Sequence, residues 1–170
     1  MASEDLATLY CRFIDSVINH RQLEHLDQFL AADVVEHAPA RNVGLAAARR
    51  TLAAWLAAFP DLHLVIEDLV VDGDHLMARL TATGSQRGPL AGVELIGKQV
   101  RMPVFEAWSV PEGRCAERWL HLDWCALLHQ LGCPWLGAFP ETRPPGVADK
   151  ISNVDLSPAV TMTASRSEAQ

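Results

Sequence analysis

A chain of 170 residues with a formal charge of −7 and 49% hydrophobic residues is one domain's worth of core-forming material with some chain to spare. The acidic balance argues against nucleic acid and against an anionic membrane surface, both of which call for a basic face. Cys11, Cys115, Cys125 and Cys133 make neither a C-x-x-C pair nor a dense secreted framework. Glu4 and Asp5 stand where a basic signal region would be, and no apolar run is long enough to span a bilayer; the expected setting is the reducing cytoplasm.

Ser3 reads as an N-cap with Glu4 and Asp5 in the first turn. Leu6, Leu9, Tyr10, Phe13, Ile14 and Val17 then recur at helical spacing. A second, short helix buries Leu23, Leu26, Phe29 and Leu30, and Val34 to His37 is too short for another, with Pro39 closing it. Gly44 to Phe59 predicts a third helix with Leu45, Leu52, Trp55, Leu56 and Phe59 inward, stopped at Pro60-Asp61. The character then changes. Leu62 to Val71 is rich in branched apolar residues, Asp72-Gly73 is a hairpin signal, and Leu76 to Ser85 alternates two unlike faces. Arg87 to Gly97 reads as a loop. Val100 to Val110 and Cys115 to Leu122 form a second hairpin across Pro111-Glu112-Gly113, in which Pro103 implies an edge position or a bulge.

A last helix is expected from about Trp124 to Leu131, ended by Gly132. Beyond Pro134 the composition shifts to Pro, Ser, Thr and Ala without a sustained period. The expected organisation is therefore a folded domain over 1–135 and a mobile tail over 136–170. Helices first, then four longer strands, then a helix is an α+β order with a curved antiparallel sheet.

Several segments, in this order and spacing, resemble the SnoaL-like polyketide cyclases of the nuclear-transport-factor-two-like superfamily. They are Phe29 to His37, Ala58 to Leu62 followed by Val65 to Leu69, Ala78 to Gly84, Glu117 to Asp123, and Leu127 to Gly132. The resemblance covers roughly residues 6 to 132, a domain's worth of chain. It implies a cone-shaped α+β barrel, its curved antiparallel sheet wrapped around N-terminal helices. It also implies an apolar pocket, an aspartate acid/base near the end of the last strand, and intramolecular aldol ring closure on a polyketide-like substrate without metal or cofactor. The residue on that motif is Asp123. The fold also hosts epoxide hydrolases, isomerases and non-catalytic binders, so the reaction is less fixed than the pocket.

Strand alternation would point Trp119, His121 and Asp123 together, unless a bulge intervenes. A carboxylate beside an indole in an apolar cavity is suited to proton transfer; the plain structural account is that Asp123 only caps the following helix. His121 could donate to a developing enolate or orient Asp123. His121-x-Asp123 also looks like two ligands of a non-haem iron site, but no third ligand is apparent and no metal is expected. Glu106 lies in an otherwise apolar strand and shares a face with Met102, Val104 and Trp108. It is either a second catalytic group or the partner of Arg79 or Arg101. His37, Trp55, Phe59, Met102, Trp108 and Trp119 are candidate substrate-binding residues, each with a core or surface alternative.

The leading expectation is thus a cofactor-independent cyclase. The alternatives are an epoxide hydrolase or epoxide-opening ether cyclase, a pericyclic cyclase, or a ligand-binding module without turnover. A curved sheet in so small a domain needs its second face covered, which points to a homodimer through the outer face. Deleting Glu141 to Gln170 should leave the melting temperature essentially unchanged, as thermal unfolding of the truncated chain would show; a large drop would mean that the tail docks on the domain.

Overall fold

The computed structural model describes residues 5–38, 41–90 and 97–132. Ser3, Pro39, Cys133, the 91–96 part of the Arg87 to Gly97 segment and the proposed tail over 136–170 lie outside the described residues.

Helix α1 (Leu6–Arg12) starts from Asp5 and runs directly into a wider π-helical stretch, Phe13–Asn19. A short 3-10 turn, Leu23–His25, leads into α2 (Leu26–Phe29). The chain then passes without a loop into β1 (Leu30–His37), followed by β2 (Arg41–Val43) and α3 (Leu45–Ala58). Strands β3 (His63–Asp72), β4 (His75–Ser85), β5 (Gln99–Ser109) and β6 (Cys115–Leu122) precede the last described helix, α4 (Trp124–Gln130). Among the described residues they make an α+β fold with one six-stranded sheet in the order β2-β1-β6-β5-β4-β3.

Two departures from the sequence expectation bear on the site. The segment around Val34 to His37 belongs to an eight-residue strand, and that strand pairs parallel with β6, so the sheet is mixed. The partners lie some eighty positions apart, as Glu36↔Arg118 shows, and no local turn signal announces such a pairing. The β3–β4 turn centres on Gly73-Asp74, one residue later than expected. Asp72 pairs with His75, and Gly73 takes φ 59°, a conformation that costs glycine little.

The core lies between the N-terminal helices and the inner sheet face. Trp108 is fully buried and meets Phe13 and Tyr10 edge-on, with ring centroids 4.8 and 5.1 Å apart, the geometry that the ring quadrupoles favour. Two amide side chains stand in for missing strand neighbours. Asn19 on the π-helical stretch donates to the Leu64 carbonyl (3.0 Å) and accepts from the Leu64 N–H (2.8 Å). Gln130 on α4 does the same for Arg101, at 3.0 and 2.8 Å.

The Gln130 contact also explains Pro103. In a strand, alternate residues direct their backbone groups to the same side, so residue 103 faces the side that Arg101 presents to α4. Pairing with β6 begins only at Val104↔Leu122. Proline therefore sits at a local edge, where no strand asks for its missing N–H.

Candidate functional site

The site is set by the β5–β6 register. Met102, Val104, Glu106 and Trp108 all turn inward on β5. Directly opposed residues share a face, and the pairs are Val104↔Leu122, Glu106↔Leu120 and Trp108↔Arg118. Arg118, Leu120 and Leu122 consequently face the interior. Trp119 and His121, opposite Ala107 and Phe105, face outward. The expectation that Trp119, His121 and Asp123 point together into the pocket is corrected here. Asp123 leaves the strand, and its Oδ1 accepts the Ala126 N–H at 2.9 Å as the N-cap of α4.

A small apolar cavity of about 60 Å³ lies between α3 and the inner sheet face. Trp55 and Leu52 close it from the helix, Ala82 and Met102 from the sheet, and Glu106 and Arg118 are its charged wall. Of the sequence candidates, Trp55, Met102 and Glu106 line it. Phe59 is fully buried and stacks on Trp55 (centroids 5.9 Å), and Trp124 also meets Trp55 (5.4 Å). Asp123, exposed, thus stands in the chain between cavity-lining Leu122 and the Trp124 that leans on Trp55.

The charged wall is a closed cluster. Arg118 is 4% exposed; its Nη1 donates to Glu36 Oε1 (2.9 Å) and its Nη2 to Glu106 Oε1 (2.7 Å). Glu106 Oε2 also accepts from Trp108 Nε1 (2.9 Å) and from the Tyr10 hydroxyl (3.3 Å). The guanidinium carbon lies 5.5 Å from the Phe13 ring centroid and 5.9 Å from that of Trp108, close enough for cation–π attraction. Burial works against the charge of Arg118, but Glu106 and then Glu36 outweigh it and raise its pKa further. Burial, reinforced by Glu106, also pushes the Tyr10 phenol far above its ordinary range, so Tyr10 is a neutral donor. Burial likewise pushes the nearby Cys115 thiol up to about 12, well away from nucleophile chemistry.

Arg118 and Glu36 are the residues that sequence reasoning missed. The available signal was Leu120 and Leu122, two apart, which put Arg118 rather than Trp119 on the apolar face. Arg79, one of the two partners expected for Glu106, instead bonds Asp68 (2.7 Å) on the outer face, and the side chain of Arg101, the other, is exposed. His37 is also outside the cavity: its Nε2 meets Glu117 Oε1 at 2.7 Å and its ring stacks on Trp119 at 5.0 Å. Trp108 is spent on the core and on Glu106. Among the described residues no group of three or more His, Cys, Asp or Glu could hold a metal ion.

Residues 8–131 match the family model of the SnoaL-like polyketide cyclases. The chain belongs to that family. Several solved structures share the fold. TsrD from Streptomyces laurentii is 30% identical with a TM-score of 0.69, over 75% of this chain and 97% of that one. A SnoaL-like polyketide cyclase from Agrobacterium tumefaciens is 27% identical (TM-score 0.68, 76% and 99%). AclR from Streptomyces galilaeus, to which a hydroxylase role is ascribed, is 25% identical (TM-score 0.66, 75% and 83%). Among curated proteins, none matches the sequence.

Within this SnoaL-like domain the cluster and the cap contribute unequally to stability. Arg118→Met should cost about 3–5 kcal/mol, because it strands two buried carboxylates. Asp123→Ala should cost about 1 kcal/mol and Asp123→Asn almost nothing, since asparagine caps as well. Urea denaturation of the three variants measures both.

Proposed function

We propose that this SnoaL-like protein is a cofactor-independent enzyme that closes a ring in a polyketide-like small molecule by proton transfer. The observation that carries the reading is an apolar cavity with one guanidinium and one carboxylate on its wall and a second carboxylate, Asp123, where the last strand leaves it. At about 60 Å³ the cavity is several-fold smaller than the ~300 Å³ at which pockets for whole drug-sized ligands begin. It takes the reacting arm of the substrate, and the remainder lies on the Trp55 and Trp124 rings.

Asp123 is the proton carrier in this reading. Its cap bond engages Oδ1 alone, and its exposure lets the proton exchange with solvent. Glu106, with three donors on its two oxygens, orients Arg118. His121 and Trp119 have no part in the cavity. Asp123→Asn should lower turnover of a β-keto ester substrate by roughly 10²–10⁴ without loss of binding. Full activity in that variant would remove Asp123 from the chemistry.

One observation favours a second reading, epoxide opening. Glu36, Arg118 and Glu106 are a carboxylate–guanidinium–carboxylate array of the kind that can polarise an epoxide oxygen and place a water. The assay that separates the two compares Glu106→Gln with Asp123→Asn on an epoxide: loss with Glu106→Gln and none with Asp123→Asn supports opening by the buried array.

The reading extends to a homodimer. Val70, Met77, Ala107, Trp119 and His37 oppose one another in a row across five strands of the outer face. Val70, Met77, Phe105 and Trp119 are left 65, 66, 49 and 40% exposed. Such a contiguous apolar patch on one face is typical of an interface. Light scattering should give twice the monomer mass at micromolar concentration, and Met77→Lys with Trp119→Glu should return it to the monomer; a monomeric parent chain would count against the dimer.

A further inference from the structure

We infer that Arg118 is a ligand-binding residue whose Nε–H is reserved for an uncharged oxygen acceptor, a ketone or ester carbonyl, entering the cavity. The inference rests on the reading of the cavity as a substrate site and sharpens what that site accepts.

The guanidinium has three nitrogen atoms with five N–H groups, and two of the nitrogens each have a carboxylate partner. Nη1 serves Glu36 and Nη2 serves Glu106. The third, Nε, is buried and has no partner among the described residues. Such orphans are uncommon in folded proteins, because a buried donor without an acceptor forfeits what water would have given it. This one belongs to a side chain only 5% exposed that lines the cavity. Two carboxylates fix the guanidinium plane, and the Phe13 and Trp108 rings flank it. It therefore has little freedom to turn.

Charge decides what the donor accepts. With Glu36 and Glu106 ionised and Arg118 protonated, the cluster carries one net negative charge, and Tyr10 stays neutral. A second anion, such as the carboxylate of a free acid, would enter against that charge in a site of low dielectric. A carbonyl oxygen gains the hydrogen bond without that repulsion. If that carbonyl is the electrophile of the ring closure, the charge that develops on its oxygen as the carbon–carbon bond forms meets a fixed guanidinium already in place. The cavity thus selects ketones and esters over the corresponding acids, and compounds that carry the oxygen over those that lack it.

The test uses three small probes of nearly equal shape: acetophenone, α-methylstyrene, in which a methylene replaces the oxygen, and benzoate. Titrations are followed by NMR at two reporters, the Met102 methyl, which marks occupancy of the cavity, and the Arg118 Nε–Hε group. Acetophenone should move both signals and bind about tenfold more tightly than α-methylstyrene, the usual worth of a hydrogen bond from a charged donor. Benzoate should be weaker than acetophenone. In Arg118→Lys, which keeps the charge but not the Nε–H, the preference for acetophenone should vanish; should that variant not fold, the comparison in the parent chain decides alone. Equal affinity for acetophenone and α-methylstyrene, an unmoved Nε–Hε signal, or benzoate as the tightest probe overturns the role of Arg118 while leaving the cavity a binding site. If no probe moves the Met102 methyl, the cavity reading falls and this inference with it.

Discussion

One guanidinium holds this domain to its shape. Arg118 on β6 reaches Glu36 on β1 and Glu106 on β5, and through Glu106 it reaches Trp108 and the Tyr10 hydroxyl on α1. Three strands and the first helix therefore meet at a single buried charge. Taking such groups out of water is costly, and an apolar replacement of equal volume could serve stability as well or better. The arrangement instead specifies geometry: β1 must lie beside β6 in one register, because only that register brings Glu36 to Arg118. The same demand leaves a polar wall inside an otherwise oily interior.

Local signals in the chain were a good guide to local structure. The Gly44 to Phe59 pattern corresponds to α3, the Asp72-Gly73 and Pro111-Glu112-Gly113 signals to the two hairpins, and Gly132 with φ 79° follows α4. Those features depend on neighbours a few residues away. The parallel β1–β6 pair does not, and an isolated eight-residue strand flanked by a short helix offers no turn chemistry to reveal its partner. The inward face of β6 lay between these cases. Counting from Asp123 holds only where the strand stays regular to its end, and Asp123 has already left it as a cap. Counting back from Leu120 and Leu122 reaches Arg118. The Glu36–Arg118 contact needed the parallel pairing as well, and so was out of reach of any local count.

The two faces of β6 consequently divide the labour. Its inner residues complete the cavity, while Trp119, stacked with His37 and flanked by Glu117, completes the apolar row outside. A change in register by one residue would exchange the two sets and destroy both surfaces at once. The Arg118 cluster guards against that slip from within. The Gln130 clamp, on the helix that follows β6, holds Arg101 of β5, and the Asn19 clamp holds Leu64 at the β3 edge.

The separation of β1 from β6 has a consequence during synthesis. Glu36 leaves the ribosome 82 residues before Arg118, and at about 5–20 residues per second that interval is roughly 4–16 s. For all of it β1 has β2 on one side and nothing on the other, with Leu30 and Val34 ready to be covered. Helix α3 emerges next and packs against β1, so it can shelter the strand's apolar face while the open edge waits. The nascent chain thus spends seconds with a half-dressed strand whose apolar face α3 is placed to cover.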